Sequence, residues 1–176
     1  TDVAAGADAA FAVSVSGVVV AAVNSASSTV LAGPVVALTA LAQRLSSAGV
    51  RARLIEVDYA SHSPQVEVVR ERLAEVLADV APRSVEDVAF YSSLTGGRID
   101  TGELTGEYWF RNLREPVRFL DATSALVSDG FDLFVESSPH PVSSPHIEHT
   151  AEVMGVPVVV TGTLRRDLSL IHISER

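Results

Sequence analysis

Apolar residues follow two rhythms along this chain. Residues 18–23 (VVVAAV) form a short, continuous run rich in β-branched side chains, the pattern of a buried strand. Residues 24–28 (NSASS) are turn material, and residues 29–32 give a second strand. Gly33-Pro34 then breaks the chain. A helix over 35–48 follows, with Pro34 near its first position and Gly49 as its C-terminal stop. Residues 50–57 alternate as a strand. After Pro64 the period lengthens. Val66, Val69, Leu73, Val76, Leu77 and Val80 fall at helical spacing, with Glu67, Arg70, Glu71, Arg72 and Glu75 outside them. This predicts one long amphipathic helix, stopped by Pro82.

The remainder alternates between short strands and helices. Strands are expected at 88–92, 131–135 and 158–161, the last tolerating Pro157 at its entrance. Helices are expected at 103–113, 117–128 and 145–154. Thr95-Gly96-Gly97 turns the chain, and residues 138–141 make a tight loop. Such alternation predicts an α/β fold with parallel pairing, its sheet and flanking helices built from about residues 64–167. Residues 18–57 read β-β-α-β, part of a ferredoxin-like unit. The unit is expected to be incomplete, because residues 1–17 show no pattern that supplies the missing β-α element. The division that follows is 1–17 as an N-terminal remnant, 18–57 as the partial small subdomain, 58–167 as part of the α/β subdomain and 168–176 as a non-native tail.

Composition narrows the function classes. With 176 residues, 47% hydrophobic and 20% charged, the chain can build a real core and is not of disordered type. A net charge of −9 without a large basic patch argues against nucleic acid as a partner. There are no cysteines, which excludes disulfides, thiolate metal sites and a cysteine nucleophile, and fits a reducing cytoplasm. The run at 18–23 is too short to span a bilayer, residues 1–17 lack the basic start of a signal peptide, and no lipidation signal is present. No membrane association is expected.

The densest chemistry is Asp58-Tyr59-Ala60-Ser61-His62-Ser63-Pro64, where a strand ends and a helix begins. Ligands of α/β sheets sit at such carboxyl ends of strands. A histidine there can take a proton from a hydroxyl and return it. The plainer alternative makes Ser61 or Ser63 a helix cap and His62 a bystander, and on pattern alone it is the one favoured. His140, His146 and His149 form no convincing metal site, since no third ligand is well placed. Thr95-Gly96-Gly97 lacks the lysine and helix of a phosphate loop.

A set of segments in order shifts that balance. VAAVNSASSTVLAG (20–33), YASHS (59–63), FYSSLTGG (90–97), YWFRNLREPVRF (108–119), FVESSPHPV (134–142) and TGTLRRD (161–167) resemble the acyltransferase domains of modular type I polyketide synthases. The resemblance covers about residues 18–167 and implies the C-terminal part of that fold. In the family, a serine in a Gly-His-Ser-x-Gly elbow attacks an acyl-coenzyme A thioester. The acyl group then passes to the phosphopantetheine thiol of an acyl carrier protein. The resemblance makes His62 the general base and makes Asn112 the residue whose main-chain carbonyl orients the imidazole, the plainer reading of Asn112 being a surface amide. It links Tyr59 and Ser61 to a methylmalonyl extender, since a small serine leaves room for an α-methyl group that phenylalanine would fill. Tyr59 is otherwise a core aromatic. Asn24 matches a pocket-edge position, or else is turn chemistry.

The implied partners are acyl-coenzyme A, a carrier protein and neighbouring synthase domains, with no bound cofactor. No Gly-x-Ser-x-Gly occurs in the chain, so the nucleophile of the family is not among these residues and activity of the chain alone is expected to be negligible. A non-catalytic docking module is the competing reading. A transferase of ordinary fatty-acid synthesis is disfavoured by the Tyr59/Ser61 pair.

Overall fold

The computed structural model describes residues 2–3, 17–55, 57 and 59–166. The reading of residues 168–176 as a foreign tail therefore lies outside the described residues, as does most of 1–17. Chain order begins with β1 (Asp2–Val3), followed by a hairpin of β2 (Val19–Ser25) and β3 (Ser28–Ala32). The expected turn at 24–28 is tighter than the composition suggests. Asn24 stays in the strand and Ser25 pairs with Ser28 across Ala26 and Ser27.

Helix α1 (Val35–Ser47) starts directly after Pro34 and is closed by Gly49, whose φ of 80° is the left-handed value that glycine adopts without strain. Its Leu41 and Leu45 pack with Val18 and Leu31 into a buried apolar cluster. Of the strand expected at 50–57, only β4 (Ala52–Arg53) pairs. β1 lies between β3 and β4, antiparallel to both, with Asp2 opposite Val30 and Arg53. The antiparallel order β4-β1-β3-β2 thus includes a strand that the sequence pattern did not supply. Two residues are too few for periodicity to register.

The long helix expected after Pro64 is two pieces, a 3₁₀ segment (Pro64–Val69) and α2 (Arg70–Val76). β-Branched Val66, Val68 and Val69 lie close together and disfavour α-geometry. Half of the predicted apolar stripe is also uncovered: Val69, Val76 and Val80 are exposed. Amphipathic helices draw most of their stability from burying that stripe.

β5 (Phe90–Ser92) and β6 (Gly97–Ile99) form an antiparallel hairpin. Gly96 turns it with φ 79°, where an added Cβ would meet the Asp121 Cβ at 2.8 Å. Helix α3 (Gly106–Arg114) is capped by the Thr105 hydroxyl. The helix expected from 117 starts two residues later as α4 (Phe119–Ser128), because Val117–Arg118, here β7, pairs parallel to β2. β8 (Leu133–Glu136), α5 (Ser144–Met154) and β9 (Val159–Gly162) complete a β-α-β unit with parallel strands, Leu133 opposite Val159. The fold is mixed α/β as expected. Among the described residues, β8–β9 and β2–β7 pair in parallel, with α4 and α5 alongside, whereas β5–β6 is antiparallel. Helices α4 and α5 pack on each other and on β2, which joins the two halves. Among the described residues, no helix is long and apolar enough to cross a membrane.

Leu41, only 1% exposed, is the deepest member of the small cluster. Leu41→Ala should cost about 2–5 kcal/mol, whereas Val36→Ala, at a position 83% exposed, should stay within about 0.5 kcal/mol. Urea denaturation followed by circular dichroism measures both.

Candidate functional site

His62 is the one non-glycine residue at positive φ, 58°, among the described residues. Histidine enters this left-handed region more readily than most side chains. The conformation directs both its main chain and its ring at the end of α3. The His62 N–H donates to the Leu113 carbonyl at 2.9 Å. The ring Nδ1–H donates to the Glu115 carbonyl at 2.8 Å. Leu113 carries one of the last carbonyls of the helix, which no intrahelical donor satisfies. Glu115 precedes Pro116, which disfavours helical backbone, and stands extended at φ −87°, ψ 159°.

The orienting carbonyl expected from Asn112 is therefore that of Glu115, three residues on. Asn112 lies within α3, where carbonyls align with the helix axis, and only past the helix end does the chain turn a carbonyl towards the ring. The sequence signal was available in Glu115-Pro116, a helix stop followed by extended backbone. Serine capping proves compatible with a ring-bonded histidine. The buried Ser63 hydroxyl donates to the Ala60 carbonyl at 2.7 Å and accepts from the Gln65 N–H at 3.3 Å.

With Nδ1–H engaged, the neutral ring keeps Nε2 as a proton acceptor. His62 lines a cavity of about 410 Å³, together with Ser61, Ala60 and Tyr59. Apolar residues from β2, β3 and α1, such as Ala21, Leu31 and Leu38, complete much of its wall. Tyr59 is 67% exposed, so it is a rim residue and not a core aromatic. The structure thus brings His62, Ser61 and Tyr59 to one cavity. Asn24, in β2, and Asn112, in α3, are not among its lining residues. No group of three or more His, Asp or Glu side chains is placed to hold a metal among the described residues.

Ion pairs latch the segment after His62 to the helix that receives it. Arg70 bonds both Glu107 carboxylate oxygens, at 2.9 and 3.1 Å, and its guanidinium lies 4.3 Å from the Phe110 ring centre. Arg114 bonds Glu67 at 2.8 Å. Arg111 bonds Glu115 at 2.6 Å and holds that carboxyl below its ordinary range. Each exposed pair contributes little alone, but Arg70–Glu107 and Arg114–Glu67 both bridge α3 and residues 64–76, while Arg111–Glu115 braces the helix end.

Glu136, at the end of β8, had no role in the sequence reading. Its carboxylate accepts from the N–H groups of Val142, Ser143 and Ser144 and from the hydroxyls of Ser138 and Ser144. Partial burial works to raise its pKa, but these donors, the Ser144 hydroxyl foremost, bring it down from 4.5 to about 2. It pins the Ser-Pro-His-Pro loop to the start of α5. A depressed carboxyl pKa contributes stability that is fully present above the unfolded value and lost as pH falls through the folded one. Glu136→Gln should therefore lower the melting temperature at pH 7, and the gap to the parent should close between about pH 4.5 and 2. Thermal melts across that range test this.

Comparison with known proteins gives a consistent picture. The acyl transferase domain family matches residues 3–175. Erythronolide synthase EryA2 of Saccharopolyspora erythraea is 47% identical over 150 residues, covering 84% of this chain and 4% of that protein. The acyltransferase domain from module 8 of the salinomycin polyketide synthase superposes with a TM-score of 0.87 at 43% identity, covering 94% of this chain and 40% of that one. The loading acyltransferase of the avermectin modular polyketide synthase gives 0.86 at 39% identity, covering 98% and 56%. The chain thus spans a small fraction of the curated synthase it matches, and little more than half, at most, of these two solved chains.

Proposed function

The chain belongs to the acyl transferase domain family of polyketide synthases, and from that premise we propose that it is the histidine-bearing part of an extender-loading acyltransferase. In this reading a serine from outside these residues attacks the thioester of a (methyl)malonyl-coenzyme A. His62 Nε2 takes the serine proton as the new acyl–oxygen bond forms and passes it to the departing sulfur, so that coenzyme A leaves as the free thiol. The neutral ring then takes the proton of a carrier protein's phosphopantetheine thiol as that sulfur attacks the acyl-serine, and gives it to the serine oxygen as the acyl–oxygen bond breaks. The single observation that carries the reading is the 2.8 Å bond from Nδ1–H to the Glu115 carbonyl, which fixes the tautomer and leaves Nε2 as the proton acceptor of a residue that lines the cavity. The orienting role belongs to that carbonyl.

Ser61 and Tyr59 at the cavity rim support a methylmalonyl extender, because serine leaves the volume that an α-methyl branch needs. We assign 18–57, with β1, to the small subdomain, and 58–167 to the α/β subdomain. Neighbouring synthase domains and the carrier protein are the partners, in the cytoplasm where coenzyme A thioesters are made. The chain alone lacks the serine elbow and should transfer nothing.

Two experiments test this. In a domain completed with the serine-bearing portion of a relative, His62→Ala should cut acyl-serine formation by about 10²–10⁴-fold, read by intact-protein mass spectrometry. Retention of full activity would remove the assignment. In the same domain, Tyr59→His with Ser61→Phe should shift the malonyl-to-methylmalonyl ratio of kcat/KM by about 10–200-fold, the range one methyl-sized contact allows.

A further inference from the structure

The Glu115 carbonyl that receives the His62 ring points where it does because both torsions of Glu115 are held, φ at −87° and ψ at 159°. Two separate devices hold them. Pro116 limits ψ, since a residue before proline is pushed towards extended backbone. The ladder from Val117 to Ala22 then anchors the chain beyond it. Neither of these sets φ. That torsion is the rotation between the amide plane and the rest of the residue, so it is fixed once the N–H and the side chain are both held. Arg111 holds both. The Glu115 N–H donates to the Arg111 carbonyl at 2.8 Å. The Arg111 Nε donates to one carboxylate oxygen at 2.6 Å, and a terminal guanidinium nitrogen donates to the other at 3.3 Å. The bonds close a loop across the last turn of α3, where the helix gives out.

We propose that Arg111 is a positioning residue of the site: its clamp on Glu115 sets the φ that turns the Glu115 carbonyl towards His62, and so keeps the ring proton on Nδ1 and Nε2 free. The inference rests on the reading of His62 as the base and deepens it by tracing the orienting carbonyl to the side chain that aims it. The neighbouring charges leave Arg111 to this task. Glu107, one turn earlier, is engaged by Arg70, and Arg114 reaches Glu67. An exposed pair adds little to stability. A positioned group is more demanding, because a displacement of about 1 Å can cost about 10²-fold in rate. Arg72–Glu75 on α2, at 3.0 Å, supplies the contrast: an exposed pair of the same kind whose Glu75 carbonyl serves the Ala78 N–H and no part of the site.

The His62 tautomer can be read in the full chain by long-range proton–nitrogen NMR of the imidazoles, with its signals assigned through His62→Gln. The parent should carry the proton on Nδ1. Arg111→Met keeps the aliphatic stem and removes the donors, whereas Glu115→Ala keeps the carbonyl and removes the carboxylate. Each should move the signals towards a mixture of the two tautomers while the melting curve stays nearly unchanged. The double variant should go no further than either single one, since all three break one clamp. Arg72→Met should leave His62 as it is. In the domain completed with the serine-bearing portion of a relative, Arg111→Met should lower kcat for acyl-serine formation about tenfold and leave KM unchanged. Unmoved signals in both single variants, an equal shift from Arg72→Met, or additive shifts in the double variant would overturn the proposal and leave His62 as the base. Full transfer by the completed domain without His62 would remove the catalytic reading and leave the clamp standing. A parent protonated on Nε2 would remove both.

Discussion

Two main-chain carbonyls at the end of α3 decide where the chemistry of this chain is placed. The Leu113 carbonyl holds the His62 amide, and the Glu115 carbonyl holds the ring. Both are groups that a helix end leaves without internal partners, so the same bonds that close the helix also orient the histidine. Around them, Arg70 and Arg114 bind carboxylates that tie α3 to the segment following His62, and Arg111 holds the Glu115 carboxylate at the helix end. A histidine fifty-three residues from its acceptor thus gains a fixed tautomer without an aspartate.

Much of the element order was legible because most elements carry their own signals. Pro34 and Gly49 bracket α1, Gly155 at φ 69° ends α5, and the β-branched run at 18–23 and the short apolar, aromatic-rich run at 131–135 announce strands. What escaped was set by distant partners. β1 and β7 are two residues each, and only their ladders to β3, β4 and β2 make them strands. The amphipathic stripe after Pro64 promised one long helix, but the stripe finds little to pack on here and the element shortens.

The site shows the same division. His62, Ser61 and Tyr59 are neighbours in sequence, so the turn before the 3₁₀ segment at Pro64–Val69 already keeps them together. The partner of the ring came from far along the chain, and its offset from Asn112 depends on where α3 unwinds. That point is set by Pro116, a feature readable in the sequence but easily passed over. Glu136 was missed for another reason. A lone glutamate after a strand has no pattern, and its role appears only when the chain folds back to present three amides and two hydroxyls to it.

The short ladder from β2 to β7 has a mechanical side. Val117 and Arg118 pair with Ala22 and Val23, and Pro116 alone separates that ladder from the Glu115 carbonyl. Proline fixes its own φ and stiffens the residue before it, so this link behaves as a rigid rod with little slack. The β2–β3 hairpin, which carries part of the apolar cavity wall, is thus joined to the acceptor of the imidazole through one stiff residue, so the wall and the ring share a single short mechanical frame.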